Sequence, residues 1–150
     1  MSDSDLRVTI IDNQNTPVDA GRLEAVARRT ALAQGATGEL TVELVDEHSI
    51  AELNDRFMGK PGPTDVLAFP IDGLAGEAHA PGRPPVVIGE IVVCPEFAAG
   101  ESDEPEGHLD LLVAHGVLHL LGFDHDTEQA AGRMRHAERA ATGREGASAS

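Results

Sequence analysis

Between Leu109 and Leu121 the chain is dominated by apolar residues, and the placement of its histidines limits how that stretch can fold. Taken as a helix, it projects His115 and His119, four residues apart, from one face and one turn above the other. Leu111, Leu112, Val113, Leu118, Leu120 and Leu121 cover much of the remaining circumference, so the helix is predicted to be buried with its histidines facing a cavity. Gly122 can adopt a positive φ and stop the helix, turning the chain back on its last turn and delivering His125 as a third nitrogen. A fold for this chain must bury that helix and leave an opening on its histidine side.

Two histidines at helical spacing are by themselves more often core or surface residues; the third, after a glycine stop, points to a metal. Three imidazoles with no cysteine nearby suit a divalent ion such as zinc, and three protein ligands leave the fourth tetrahedral position open, as in a catalytic site. One Zn²⁺ per chain on His115, His119 and His125 is expected. Zinc peptidases carry His-Glu-x-x-His, with the glutamate as general base; Gly116 occupies that position, so a peptidase would need its base from another segment.

The string HGVLHLLGFDH at residues 115–125 resembles the signature of the YbeY family, bacterial zinc-dependent endoribonucleases implicated in ribosomal RNA maturation. A second stretch, Leu53-Asn54 followed by a loop ending Pro63-Thr64-Asp65-Val66-Leu67-Ala68-Phe69-Pro70, resembles another motif of that family, with Ala68 in place of its usual serine. Gly89-Glu90-Ile91 stands where members usually have Gly-Asp-Ile, and Glu138 falls near a glutamate common in the family. Met58 stands where most members have an arginine assigned to phosphate contact or catalysis, and that role is not carried over.

The resemblance covers roughly residues 40 to 140. It implies an α+β fold in which the metal sits in a cleft between the sheet edge near Thr64 to Phe69 and the central helix. It also implies a single-strand-specific, metal-dependent endoribonuclease in late ribosomal RNA processing and ribosome quality control, with ribosomal RNA or its precursor as substrate. The small ribosomal subunit or its proteins are further expected partners. Two other classes stay open: a metal-stabilised assembly factor that cuts nothing, and a zinc hydrolase of peptide or amide bonds. Arg56, Lys60, Thr64 and Asp65 are the candidate substrate-binding residues, with ordinary loop-surface roles as the alternative for Arg56 and Lys60. Asp124, beside a ligand, is a candidate base or a group that orients a histidine.

A chain of 150 residues fits one domain, expected over residues 1–142, with a disordered tail at 143–150. The formal net charge of -15 stands against a broad nucleic-acid surface, because phosphate neutralisation needs clustered Lys and Arg. A metal ion with a few local cations can nevertheless make one cleft positive on an acidic molecule. Aromatic residues are 3% of the chain, with no Trp or Tyr, which disfavours single-strand binding by base stacking. The lone Cys94 excludes an intramolecular disulfide and fits a reducing compartment, and no stretch reads as a signal peptide or membrane span. A cytoplasmic protein with no membrane partner is expected.

In chain order, Leu6 to Ile11 reads as a strand ending at Asp12-Asn13. Thr16 as cap and Pro17 as first helical residue open a helix to about Gln34, with Leu23, Val26, Ala27 and Thr30 inward; its Arg22, Arg28 and Arg29 form either a phosphate-binding stripe or, more ordinarily, a solvated face balanced by Asp19 and Glu24. Glu39 to Val45 alternates as a second strand, and Asp46 to Met58 reads as a short helix with Ile50, Leu53, Asn54 and Phe57 inward. A proline-flanked edge strand follows, then a loop at 72–85 containing a solvated His79, and a long strand from Val86 to Cys94, with Cys94 a small buried residue. Asp103 and Glu106 fit a capping pair for the central helix, whose His108 either meets substrate or is satisfied locally. Asp126 to Ala141 forms a last helix with Met134 and Ala137 inward. The whole reads as an α+β domain, one small mixed sheet covered by helices around a central metal-binding helix in a zincin-like arrangement.

Overall fold

The computed structural model describes residues 5–71 and 86–143. The expected loop at 72–85 with His79, and the expected tail at 143–150 apart from Gly143, lie outside the described residues. The elements in order are β1 (Leu6–Asn13), α1 (Ala20–Ala33), β2 (Gly38–Val45), α2 (Glu47–Leu53), β3 (Val66–Pro70), β4 (Val87–Val93), α3 (Pro95–Ala99), α4 (Pro105–Leu120) and α5 (Glu128–Thr142). α2 runs directly into a π-helical turn, Asn54–Met58.

The strands form one mixed sheet in the order β1-β2-β4-β3. β1, β2 and β4 are parallel, and β3 closes the edge antiparallel to β4, with Val66 opposite Val93 and Pro70 opposite Gly89. The prolines explain why β3 is an edge: without an N–H, Pro70 cannot serve a strand paired on both sides. β4 is interior and nearly all apolar, as expected for a strand covered on both faces.

Alternation along the strands divides the core in two. Ile91 and Val93 belong to the larger cluster, with Leu23, Val26 and Ala27 of α1 and Leu112, Val113 and Val117 of α4. Val92 points the other way, to a smaller cluster with Val45, Ile50, Leu67 and Cys94. Eleven of the sixteen residues of α4 are buried, so the central helix is enclosed, as its composition predicts. Among the described residues, no helix is long and apolar enough to cross a membrane.

Several local expectations are corrected. The first helix is capped by Asp19 rather than Thr16: the Asp19 carboxylate accepts from the Arg22 amide, while the Thr16 amide donates to the Gln14 side chain. The arginines of α1 are neither a phosphate stripe nor a simply solvated face. Arg22 reaches Asp110 on α4 with Nη2 at 2.8 Å and Nε at 3.1 Å from Oδ2, Arg28 donates to the Leu6 carbonyl and to Glu24, and Arg29 donates to the Ala141 carbonyl on α5 at 2.7 Å. Phe57 is 57% exposed instead of inward, because the π-helical turn widens the helix and shifts the side chains that follow out of the i, i+4 register. No Asp103–Glu106 capping pair forms: Ser102 Oγ accepts the Glu104 amide, Pro105 begins α4, and Glu106 is drawn to Arg22.

Candidate metal centre

α4 presents His115 and His119 on one face, and Gly122 ends it with φ of 96°. The Gly122 amide bonds the His119 carbonyl and the Phe123 amide the Leu118 carbonyl, so the chain folds back over the last turn. That reversal brings the His125 ring to 5.4 Å from His119 and 6.0 Å from His115, centroid to centroid. One nitrogen from each of the three histidines falls within 4.8 Å of the others.

The protonation of the cluster follows from its partners. His115 is buried, and its Nδ1 lies 2.6 Å from Oε2 of Glu138 on α5, which is also buried. A carboxylate accepts, so the imidazole proton sits on Nδ1 and the Nε2 lone pair is turned inward, 3.1 Å from Nε2 of His119. Burial, followed by the neighbouring His115 and His125, pulls the His119 pKa below its ordinary value, so this ring is a neutral donor at neutral pH. Converging imidazole nitrogens, one ring fixed by a carboxylate behind it, are what a divalent ion of the zinc type requires. The residues present fit the group.

His115 and His119 open onto a cleft of about 480 Å³ whose opposite wall is the 54–70 segment, including Asn54, Met58, Lys60, Thr64 and Ala68. Lys60 is the one lysine or arginine among the described residues of that lining. Asn54 is buried and donates from Nδ2 to the Gly62 carbonyl at 3.0 Å, which pins the loop carrying Lys60. Gly116 packs directly on β4: a Cβ there would stand 2.9 Å from Cγ2 of Ile91. The position that holds the base in zinc peptidases therefore has no room for a side chain.

The other candidate residues are placed elsewhere. Arg56 is exposed, with its guanidinium 5.8 Å from the Phe57 ring centroid, and does not line the cleft. Asp65 is buried behind the wall, beside Glu101 and His108. Asp124 is exposed and its Oδ1 accepts from the Asp126 amide, shaping the turn into α5 instead of facing the cleft. Glu90 lies with Glu43, Phe57 and Phe69 on the other side of the sheet from Ile91 and the histidine helix, so it does not point at the site. Cys94 is fully buried and burial pushes its thiol pKa up, consistent with an inert core residue.

Glu138 was not among the site residues expected from sequence, and a signal for it exists. On α5 the buried positions are Ala130, Met134, Glu138 and Ala141, so a glutamate occupies the apolar stripe of an amphipathic helix. A carboxylate there needs a buried partner.

The family model described as endoribonuclease YbeY matches residues 6–144. The endoribonuclease YbeY of Thermobifida fusca is 43% identical over 129 residues, covering 80% of this chain and 81% of its own length. That of Salinispora tropica is 45% identical over 133 residues, covering 80% and 83%. Among solved structures, the solution structure of TM1509 from Thermotoga maritima aligns with a TM-score of 0.54 at 26% identity, covering 92% of this chain and 89% of that one.

Proposed function

The chain belongs to the endoribonuclease YbeY family, and from that premise we propose that it is a single-strand-specific endoribonuclease that uses one Zn²⁺ on His115, His119 and His125. Its substrate is ribosomal RNA or its precursor, cut late in maturation in the cytoplasm, with a role in ribosome quality control beside the small subunit. The observation that carries the reading is the three-histidine cluster, two of whose rings line an open cleft, with the His115 lone pair held inward by Glu138. The zincin-like description is kept for this element alone: a helix bearing two ligands, followed by a glycine turn and a third.

A divalent cation bound there supplies Lewis acidity, polarising a phosphoryl oxygen and making water a better nucleophile. The chain's own residues do the rest. Glu138 holds the His115 tautomer, and Gly122 sets the distance of the third ring. Lys60 supplies a positive charge for a backbone phosphate, and Thr64 a hydroxyl that can donate to one. The 54–70 wall and α4 border a cleft of about 480 Å³, and an extended single strand is the substrate proposed for it. Affinity from base stacking is not expected, because none of the described residues lining the cleft is Phe, Trp or Tyr.

The peptide-hydrolase reading loses support from Gly116, whose contact with Ile91 leaves no space for the missing base. A non-cutting binding role keeps one observation in its favour: Met58, not arginine, lines the cleft. Zinc-loaded protein assayed on a single-stranded RNA and on a peptide, with His119→Ala as control, separates the three. The proposal expects RNA cleavage lost in the variant and no peptide cleavage by either. Zinc-dependent peptide cleavage, or tight RNA binding without cleavage, would replace it.

A further inference from the structure

We infer that Asp65, Glu101 and His108 form a second cation site, separate from the histidine centre, that takes a divalent first-row transition ion and ties the cleft wall to α4. One ligand atom from each of the three residues lies within 4.8 Å of the others. They come from three segments: the loop before β3, the turn after α3 and the first turns of α4.

The second observation is the burial of Asp65 without a cationic partner. Its relative exposure is 6%, and among the described residues no lysine or arginine forms an ion pair with it. Its nearest hydroxyl, Thr64 Oγ1, stands at 3.5 Å, the outer limit of a hydrogen bond. Glu101, itself exposed at the rim, lies within hydrogen-bonding reach of it, so the buried Asp65 carboxylate faces a second carboxylate. A buried carboxylate in such contact needs a proton or a cation between the two. Burial is the main reason the Glu101 pKa is raised; the hydrogen bond with His108 opposes the shift and Asp65 adds to it. His108, with Nε2 at 3.2 Å from Glu101 Oε1, supplies the imidazole nitrogen that separates this cluster from an all-oxygen calcium or magnesium site.

His108 precedes His115 by seven helical residues, roughly 10 Å of rise. That is too far for a paired-metal centre, whose ions sit about 3.5–4 Å apart. The role is positional instead. Thr64 and Val66, on either side of Asp65, both line the cleft, so an ion held by Asp65 and by His108 fixes that wall against the helix carrying the catalytic histidines.

His119→Ala isolates this site, and Mn²⁺, which suits carboxylate and imidazole donors, is the probe. After chelator treatment, the full-length His119→Ala protein titrated with Mn²⁺ and followed by electron paramagnetic resonance should bind one equivalent with a raised melting temperature. Adding Asp65→Asn, or independently His108→Ala, should remove that equivalent and the thermal shift. Circular dichroism establishes that each variant is folded, and the His108 substitution covers the case in which Asp65→Asn is not. No Mn²⁺ bound by folded His119→Ala protein at millimolar concentration would show that a proton alone neutralises the pair and overturn the inference. Unchanged binding in both double variants would overturn it equally. Neither result depends on RNA cleavage, so failure here leaves the proposed activity standing.

Discussion

The Glu138 to His115 contact concentrates the chemistry of the centre in two atoms, Oε2 and Nδ1, 2.6 Å apart. Glu138→Gln can still accept through its amide oxygen but loses the charge, so zinc affinity should fall by about 10- to 100-fold, read by competition with a chromophoric chelator. An unchanged affinity would mean that His115 is oriented by its packing alone. Met58 gives a test in the opposite direction. It is 42% exposed on the cleft wall, so Met58→Arg can place a donor near a phosphate without filling a core, and the single-turnover rate on RNA should rise while the melting temperature holds. An unchanged rate in an equally stable protein would show the position to be non-catalytic here. Gly116, Gly122 and the histidines were legible as residues because helical spacing and a stop signal are local. Glu138 was not assigned to the centre, because its partner is 23 positions away and the pairing depends on how α5 lies on α4.

At the scale of elements, β2 and β4 place Glu43 and Glu90 side by side. Burial first, and then Glu43, raise the Glu90 pKa above its ordinary 4.5. A raised carboxyl is favourable only while protonated: stability is fully present below the unfolded value and is lost as pH rises through the folded one. Glu90→Gln should therefore raise the melting temperature at pH 7 and give no gain near pH 4, measured by scanning calorimetry at both. Asp46 runs the other way. Bonds from the Ser49 and His48 amides lower its pKa, so its contribution is present above the ordinary carboxylate value and is lost as pH falls through the depressed one. At the other end of the fold, Thr127 caps α5 by accepting from the Ala130 amide; Thr127→Ala should cost about 1 kcal/mol, or roughly 2–4 °C. The strands and long helices were readable from alternation and apolar spacing. The π-helical turn and the five-residue α3 were not, because both are shorter than the periods that such patterns need.

For the whole molecule, a net charge of -15 limits RNA binding to one place. The arginines of α1 bridge to α4, α5 and β1, and among the described residues lining the cleft Lys60 is the one lysine or arginine, to which an ion on the histidines would add positive charge. Affinity for single-stranded RNA should then weaken with salt along a shallow slope, about 0.7 per phosphate neutralised, and Lys60→Ala should flatten it further. The small mixed sheet covered by helices was legible from the order of elements. The partnering of Asp65 with Glu101 and His108 was not, since three residues with ordinary local roles meet only in the folded chain. The central claim is that His115, His119 and His125 together hold an ion on which RNA cleavage depends. Its most direct test is to measure bound zinc and single-turnover cleavage of one single-stranded RNA on the same untagged samples, native and His119→Ala. The variant, still folded, should lose one equivalent of zinc and its cleavage together; full cleavage by folded His119→Ala protein lacking that zinc would contradict a metal-dependent reaction.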